Sequence, residues 1–134
     1  MSRIVIATHG HLSDELKASA EIIVGTADNI DCFAMEADMN LDDAKSALSQ
    51  LILDADKPGR PLVLVDLYGG TPSRVCTELL IDGHEFDLLA GVNLPMVIAA
   101  ISDSGDERVA AASGAAVDGV VNVNNLIAEM ESDT

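Results

Sequence analysis

Short apolar runs alternate along this chain with longer stretches of helical periodicity. Arg3–Ala7 (RIVIA), Ile30–Ala34 (IDCFA), Pro61–Val65 (PLVLV) and Phe86–Ala90 (FDLLA) have the length and boundaries of strands. The first and third are apolar on both faces, as central parallel strands are. Between them, Leu16, Ala20 and Ile23 predict an amphipathic helix capped by Ser13, with Asp14 and Glu15 in its opening turn and Gly25 just past its end. A second helix starts at Asn40, buries Ala44, Ala47, Leu48 and Leu51, and stops before Lys57-Pro58-Gly59. The third begins at Thr71-Pro72, read as a cap followed by proline at the first helical position, where the missing N–H costs nothing. A fourth follows Asn93-Leu94-Pro95, and a fifth runs from Asp106 to Ala116. Gly119–Val123 (GVVNV) reads as a last strand and Asn125–Met130 as a short tail helix.

The order βαβαβαβααβα predicts an α/β fold, an open and mostly parallel sheet with helices on both faces. The whole of 1–134 reads as one domain, with no linker, internal repeat or low-complexity stretch. A chain of this size buries enough apolar surface to fold without a disulfide or structural metal.

Charge narrows the partners. Seven basic side chains against 23 acidic ones give a net charge of −16. No basic face is available to neutralise phosphates or anionic headgroups, which excludes general nucleic-acid and membrane-surface binding. Phe33, Tyr68 and Phe86 are the whole aromatic complement, too few for a base-stacking platform. Cys32 and Cys76 share no close spacing and read as reduced thiols serving as small hydrophobes. The opening apolar run ends at His9, too short for a leader, and nothing approaches the roughly 18 apolar residues of a membrane span. A cytoplasmic protein is the expectation.

In an open α/β sheet, ligands bind beyond the carboxyl ends of the strands, where strand order reverses. Strand one runs into Thr8-His9-Gly10-His11, and strand three into Asp66-Leu67-Tyr68-Gly69-Gly70-Thr71-Pro72. If the order is 2-1-3-4, these strands are neighbours, and His9 faces Asp66 across the switch point. A histidine there is a base or nucleophile near neutrality. A carboxylate accepts one ring N–H and leaves the other nitrogen's lone pair free. Gly69-Gly70 leading into a helix N-terminus presents backbone N–H groups and a positive dipole end, which suit a phosphate. Together they suggest phosphoryl transfer through a phosphohistidine. Each part also has a plain structural reading: a strand-end histidine in a satisfied position, a tight Gly-Gly turn, a loop-capping aspartate. Arg74 either helps hold an anion one turn into helix three or makes a solvent salt bridge. His84 reads as a solvated loop residue, and Met35, Met39 and Met96 as core or rim filling.

The segments IVIATHGHLSDEL, VLVDLYGGTP and LLAGVNLPM, in this order and spacing, resemble the enzyme IIA component of the mannose/fructose/sorbose class of the bacterial phosphoenolpyruvate-dependent sugar phosphotransferase system. The resemblance covers nearly the whole chain. It implies that His9 is the phosphorylated histidine, that Asp66 orients it, and that Thr71 supplies a hydroxyl near the phosphoryl group. Leu67 departs from members that carry a hydroxyl there, and His11 sits where other side chains, including aromatics, occur. The resemblance further implies phosphoryl transfer from the carrier protein HPr to a IIB component, with no metal or organic cofactor. It also implies a homodimer that shares the C-terminal strand. Two rival readings remain at this stage: a regulatory phospho-sensor acting on a partner protein, and a metal-dependent hydrolase built on His9, His11 and Asp66.

Overall fold

Four parallel strands form the sheet in the computed structural model, which describes residues 2–103 and 105–132. Along the chain run β1 (Ile4–His9), α1 (Leu12–Val24), β2 (Ile30–Met35), α2 (Leu41–Ile52), β3 (Leu62–Val65), α3 (Thr71–Ile81), β4 (Asp87–Ala90), α4 (Leu94–Ser102), α5 (Arg108–Asp118) and α6 (Val123–Ser132). The strand order is β2-β1-β3-β4, as the switch-point argument requires. Ile4 of β1 lies between Ile30 and Leu62, so the two central strands are in register from their first residues.

The period of two along β1 and β3 sorts the core into two layers. Ile4, Ile6, Leu62 and Leu64 face Ala20 of α1 and Met96, Val97, Ala100 and Ala112 of α4 and α5. Val5, Ala7, Val63 and Val65 face Ala44, Leu48 and Ile52 of α2 and Val75, Cys76 and Leu79 of α3. Ile4–Thr8 of β1 and all of β3 are buried, which explains their unbroken apolar runs. Cys32 and Cys76 are unpaired thiols, and burial pushes Cys76 up to about 12.

Several local expectations are corrected. Ser13 does not cap α1. The turn at Gly10 (φ +58) starts the helix earlier, so Ser13 falls inside the first turn and is buried, its hydroxyl donating to the Phe33 carbonyl at 3.0 Å. The capping oxygen comes from the strand instead, because Thr8 Oγ1 accepts the Ser13 N–H at 2.8 Å. Ile23 is largely exposed, and the buried row of α1 passes through Leu16 and Ala20 toward Ala27 beyond the helix end. On α2, Ala47 is exposed and Ile52 is buried, because the i, i+4 row Ala44–Leu48–Ile52 faces the sheet. Asn40 and Asn93 do cap their helices, accepting from Asp43 N–H at 2.8 Å and Met96 N–H at 3.1 Å.

Gly119–Val123 is not a strand in this chain. Gly119 keeps a helical backbone (φ −75, ψ −12) as it ends α5, packed so closely on Pro95 that a Cβ would sit 2.6 Å from the proline ring. Residues 120–122 continue as exposed irregular chain into α6. No strand lies beside them, so the sheet ends at β4 with one edge open.

At the amino-terminal end of the sheet, guanidinium groups hold the layers together. Arg3 Nη2 donates to the carbonyls of Leu51 (2.8 Å) and Ile52 (3.3 Å) at the end of α2. Arg108, buried at the start of α5, donates to the carbonyls of Arg3 (3.1 Å) and Arg60 (3.3 Å). One helix from each face is thereby tied to the strands between them. Arg108→Met should cost about 2 kcal/mol, because buried carbonyls lose a charged donor. The measurement is the urea midpoint at unchanged m-value; a midpoint equal to wild type would show these bonds to be dispensable.

Candidate functional site

His9 is the last residue of β1 and follows Val5 and Ala7 on the face that α2 and α3 cover. Its side chain therefore leaves the strand on the α3 side, where the loop after β3 returns. Asp66 stands at the head of that loop. Its Oδ2 accepts both the backbone N–H of His9 and the ring nitrogen Nδ1, each at 3.0 Å, and its Oδ1 accepts the Leu67 N–H at 2.9 Å. Burial works against ionisation of Asp66. The bonds from the His9 backbone and ring, reinforced by the one from Leu67, outweigh it and hold the carboxyl below its ordinary value. An ionised carboxylate accepts only, so Nδ1 carries the proton and the Nε2 lone pair is left free. The His9 side chain is 47% exposed while that of Asp66 is 16% exposed, so the imidazole is presented and its carboxylate partner is sheltered.

Gly70 supplies the other wall. A Cβ there would lie 2.6 Å from His9 Cε1 and 3.3 Å from Nε2. The backbone at Gly70 (φ −71, ψ 170) is open to any residue, so glycine is needed for proximity to the ring and not for conformation. Gly69 (φ +86) makes the turn. The N–H groups of these glycines are already used: Gly69 donates to Ser73 Oγ at 3.3 Å and Gly70 to the Leu67 carbonyl at 3.1 Å. Gly70, not Thr71, is the N-cap of α3, and Thr71 is the first helical residue with Pro72 behind it. The third helix thus starts without a side-chain cap, and the groups without intrahelical partners at its tip are the N–H groups of Thr71 and Ser73.

The structure brings together His9, Asp66 and Gly70, with Thr71 next along the chain. It takes His11 away. That imidazole is held between Asp14 Oδ2 at Nδ1 (2.9 Å) and Glu36 Oε1 at Nε2 (2.8 Å), bridging α1 to the segment after β2. No His11–Asp66 contact exists, and no metal-holding cluster of His, Cys, Asp and Glu is present among the described residues. The geometry required by the hydrolase reading is therefore not formed. His84 is exposed in its turn, as expected. Arg74 is exposed, and its guanidinium has no hydrogen bond or ion pair to another described residue. Sequence reasoning missed Gly70's contact with the ring, Glu36's hold on His11 and the apolar rim of Leu12, Leu67 and Tyr68, which are all exposed. The spacing of Gly70 from Asp66 carried the first signal, since a residue touching a strand-end imidazole must lack a side chain.

Two outcomes follow from this geometry. Gly70→Ala should fold normally but displace the imidazole, seen as an unchanged far-ultraviolet spectrum with large shifts of the His9 ring resonances. Unmoved ring resonances would refute the contact. The Asp14 hydrogen bond, followed by the charge of Glu36, raises the His11 pKa above its ordinary 6.5. A raised folded-state value means the bridge is at full strength below the unfolded pKa and weakens as pH rises through the folded one. Proton resonances of His11 should titrate above that of a free histidine and fall back in an Asp14→Asn, Glu36→Gln protein.

The sequence model of the family described as PTS system fructose IIA component matches residues 3–120. The mannose-specific EIIAB component of Escherichia coli K12 is 29% identical over 104 residues, 78% of this chain and 32% of that protein. This chain thus spans about a third of that relative's length. The fructose-specific EIIA component of Bacillus subtilis is 28% identical over 102 residues, 76% of this chain and 70% of its own length. Among solved structures, phosphotransferase system component EIIA from Streptococcus agalactiae superposes with a TM-score of 0.82 at 28% identity, covering 93% of this chain and 99% of that one. The mannose/sorbose-specific IIA subunit from Enterococcus faecalis gives 0.82 at 27%, covering 90% and 93%. With the four-stranded order and the strand-end histidine already in place, the chain belongs to the IIA component family of the sugar phosphotransferase system.

Proposed function

We propose that this protein is a phosphocarrier in which His9 Nε2 accepts a phosphoryl group from phospho-HPr and passes it to a IIB component during sugar uptake. Membership of the IIA family supports a role in phosphotransfer; the donor, the acceptor and the residues are our reading. The observation that carries it is the double hold of Asp66 on His9, which fixes the ring and leaves Nε2 facing solvent.

In the forward step the Nε2 lone pair forms the new N–P bond as the bond from phosphorus to the donor's histidine nitrogen breaks, and the donor keeps that electron pair. The imidazole of His9 becomes positively charged as it bonds, with its proton still on Nδ1. Asp66 stabilises that charge, and the reverse sequence hands the phosphoryl group to IIB. No metal or organic cofactor enters, because the histidine carries the group. Positioning and electrostatics do the work. Thr71 and the tip of α3 form the anion side of the site, with Gly69 and Gly70 shaping the space the phosphoryl group enters. Leu12, Leu67 and Tyr68 offer both partners a shared apolar rim. The 1–134 chain acts as one IIA domain in the cytoplasm.

The same reading includes a homodimer. The edge of β4 is open, and beside it a cleft of about 390 Å³ is lined by Leu89, Ala90, Met96, Ala116, Val117 and Val120. Val117, Val120 and Val121 are exposed there. An unpaired edge next to apolar surface favours pairing with a second copy. Residues 119–123 would then gain the strand partner that a single chain does not offer them.

Incubation with phosphoenolpyruvate, enzyme I and HPr, followed by mass spectrometry that preserves acid-labile phosphohistidine, should find one phosphoryl group, on His9. His9→Ala should take none; a phosphorylated His9→Ala protein would end the proposal. Asp66→Asn should remain folded and transfer roughly ten- to a hundredfold more slowly, the scale of one lost charged hydrogen bond. Sedimentation should give a dimer at micromolar concentration, and a monomer throughout that range would remove the dimer from the reading.

A further inference from the structure

We infer that Arg74 is a phosphoryl-binding residue of this protein, closing on the oxygens of the group carried at His9 Nε2. The inference rests on the phosphocarrier reading and assigns the site a cation that neither the family match nor the described contacts provide.

The argument begins with where the positive charge goes. Of the seven basic side chains, five are engaged. Arg3 and Arg108 donate to backbone carbonyls. Lys45, Lys57 and Arg60 pair with Glu78, Asp31 and Asp87 at 3.1, 2.6 and 3.1 Å. Lys17 and Arg74 are left, and of these only Arg74 lies on α3, the helix whose N-cap touches the imidazole. In a chain of net charge −16, an arginine that finds no carboxylate is unusual.

Its natural partner is present and already taken. Glu78 lies four residues along α3, the spacing at which helical charges pair. Its Oε2 is bound instead by Lys45 from α2. Arg74 makes no ion pair with that carboxylate. Helical side chains lean toward the N-terminus and cover the preceding turn. That turn is Gly70, whose carbonyl accepts the Arg74 N–H at 2.9 Å and where an added Cβ would lie 2.6 Å from Cε1 and 3.3 Å from Nε2 of His9. Arg74 shares an open cleft with Tyr68, Gly69 and Ser73 toward the loop and with Thr77 and Glu78 further along α3.

The ligand chemistry follows. A phosphoryl group on Nε2 brings two negative charges beside Asp66, in a strongly acidic molecule. A planar guanidinium matches adjacent phosphoryl oxygens in a bidentate manner and stays charged at every relevant pH. Arg74 has no ion pair among the described residues and acquires a partner on phosphorylation, so its effect falls on the phospho-form. No proton moves and no additional bond forms in this step.

The test uses the full chain with phosphoenolpyruvate, enzyme I and HPr. Wild type must first become phosphorylated on His9; if it does not, the phosphocarrier reading fails irrespective of Arg74. Given phosphorylation, Arg74→Gln should shift the phosphoryl equilibrium toward HPr by roughly tenfold, and Arg74→Lys should restore part of it. Phosphorus resonance titration should show the second ionisation of the His9 phosphoryl group moved to higher pH in Arg74→Gln, which a purely structural role would not produce. In wild type, the Arg74 Nε–H resonance should shift on phosphorylation. An equilibrium and a phosphoryl titration both unchanged in Arg74→Gln, or an unmoved Nε–H resonance in phosphorylated wild type, would overturn the inference.

Discussion

The site depends on one oxygen atom. Asp66 Oδ2 accepts two hydrogen bonds from the same residue, one from the backbone N–H of His9 and one from its ring. The backbone bond locates the end of β1 against the head of the loop after β3. The ring bond sets the tautomer. A carboxylate that held the ring alone would leave the strand end free to shift, and one that held the backbone alone would leave the ring free to turn. Because one oxygen does both, strand pairing and ring orientation are a single geometric condition. The lowered pKa of Asp66 has the same origin, since each hydrogen bond donated to it favours the charged form.

The surrounding architecture serves that condition. Parallel pairing of β1 with β3 places their carboxyl ends side by side, with Val65 opposite Ala7. The next residue of β3's chain is Asp66, and His9 is two beyond Ala7 on the same face. Gly70 then returns the chain close enough to wall the ring without a side chain in between. Thr8, one residue before His9 and on the opposite face, uses its hydroxyl to start α1. Consecutive residues of β1 therefore divide two tasks, with chemistry on one side of the sheet and helix initiation on the other.

Much of this was legible before any coordinates. The unbroken apolar runs of β1 and β3 marked central strands, and the polar residues that follow each one marked the switch point. The starts of α2 at Asn40 and of α4 around Asn93-Leu94-Pro95 were equally plain, and the structure adds that both asparagines cap their helices. Harder to read was whatever depended on a neighbour distant in sequence. Ser13 looked like a cap and is a buried donor to Phe33, because the oxygen that starts α1 belongs to Thr8 in the strand before it. Thr71 looked like a cap for the same local reason, and Gly70 took the position because the imidazole leaves room for nothing larger. Gly119–Val123 carries strand-like residues, yet its own sheet offers no place for them, and Gly119 remains helical against Pro95. Apolar alternation reports that a segment wants a partner. It does not report in which chain the partner lies.

The guanidinium ties at the amino-terminal end of the sheet have a further consequence. Arg3 and Arg108 join α2, β1, the approach to β3 and α5 at the pole farthest along the strands from His9. Cohesion and reactivity thus occupy opposite ends of the same four strands. A change in the loops around the histidine therefore leaves the guanidinium ties untouched, and loss of a tie acts on layer cohesion at the end of the sheet away from His9.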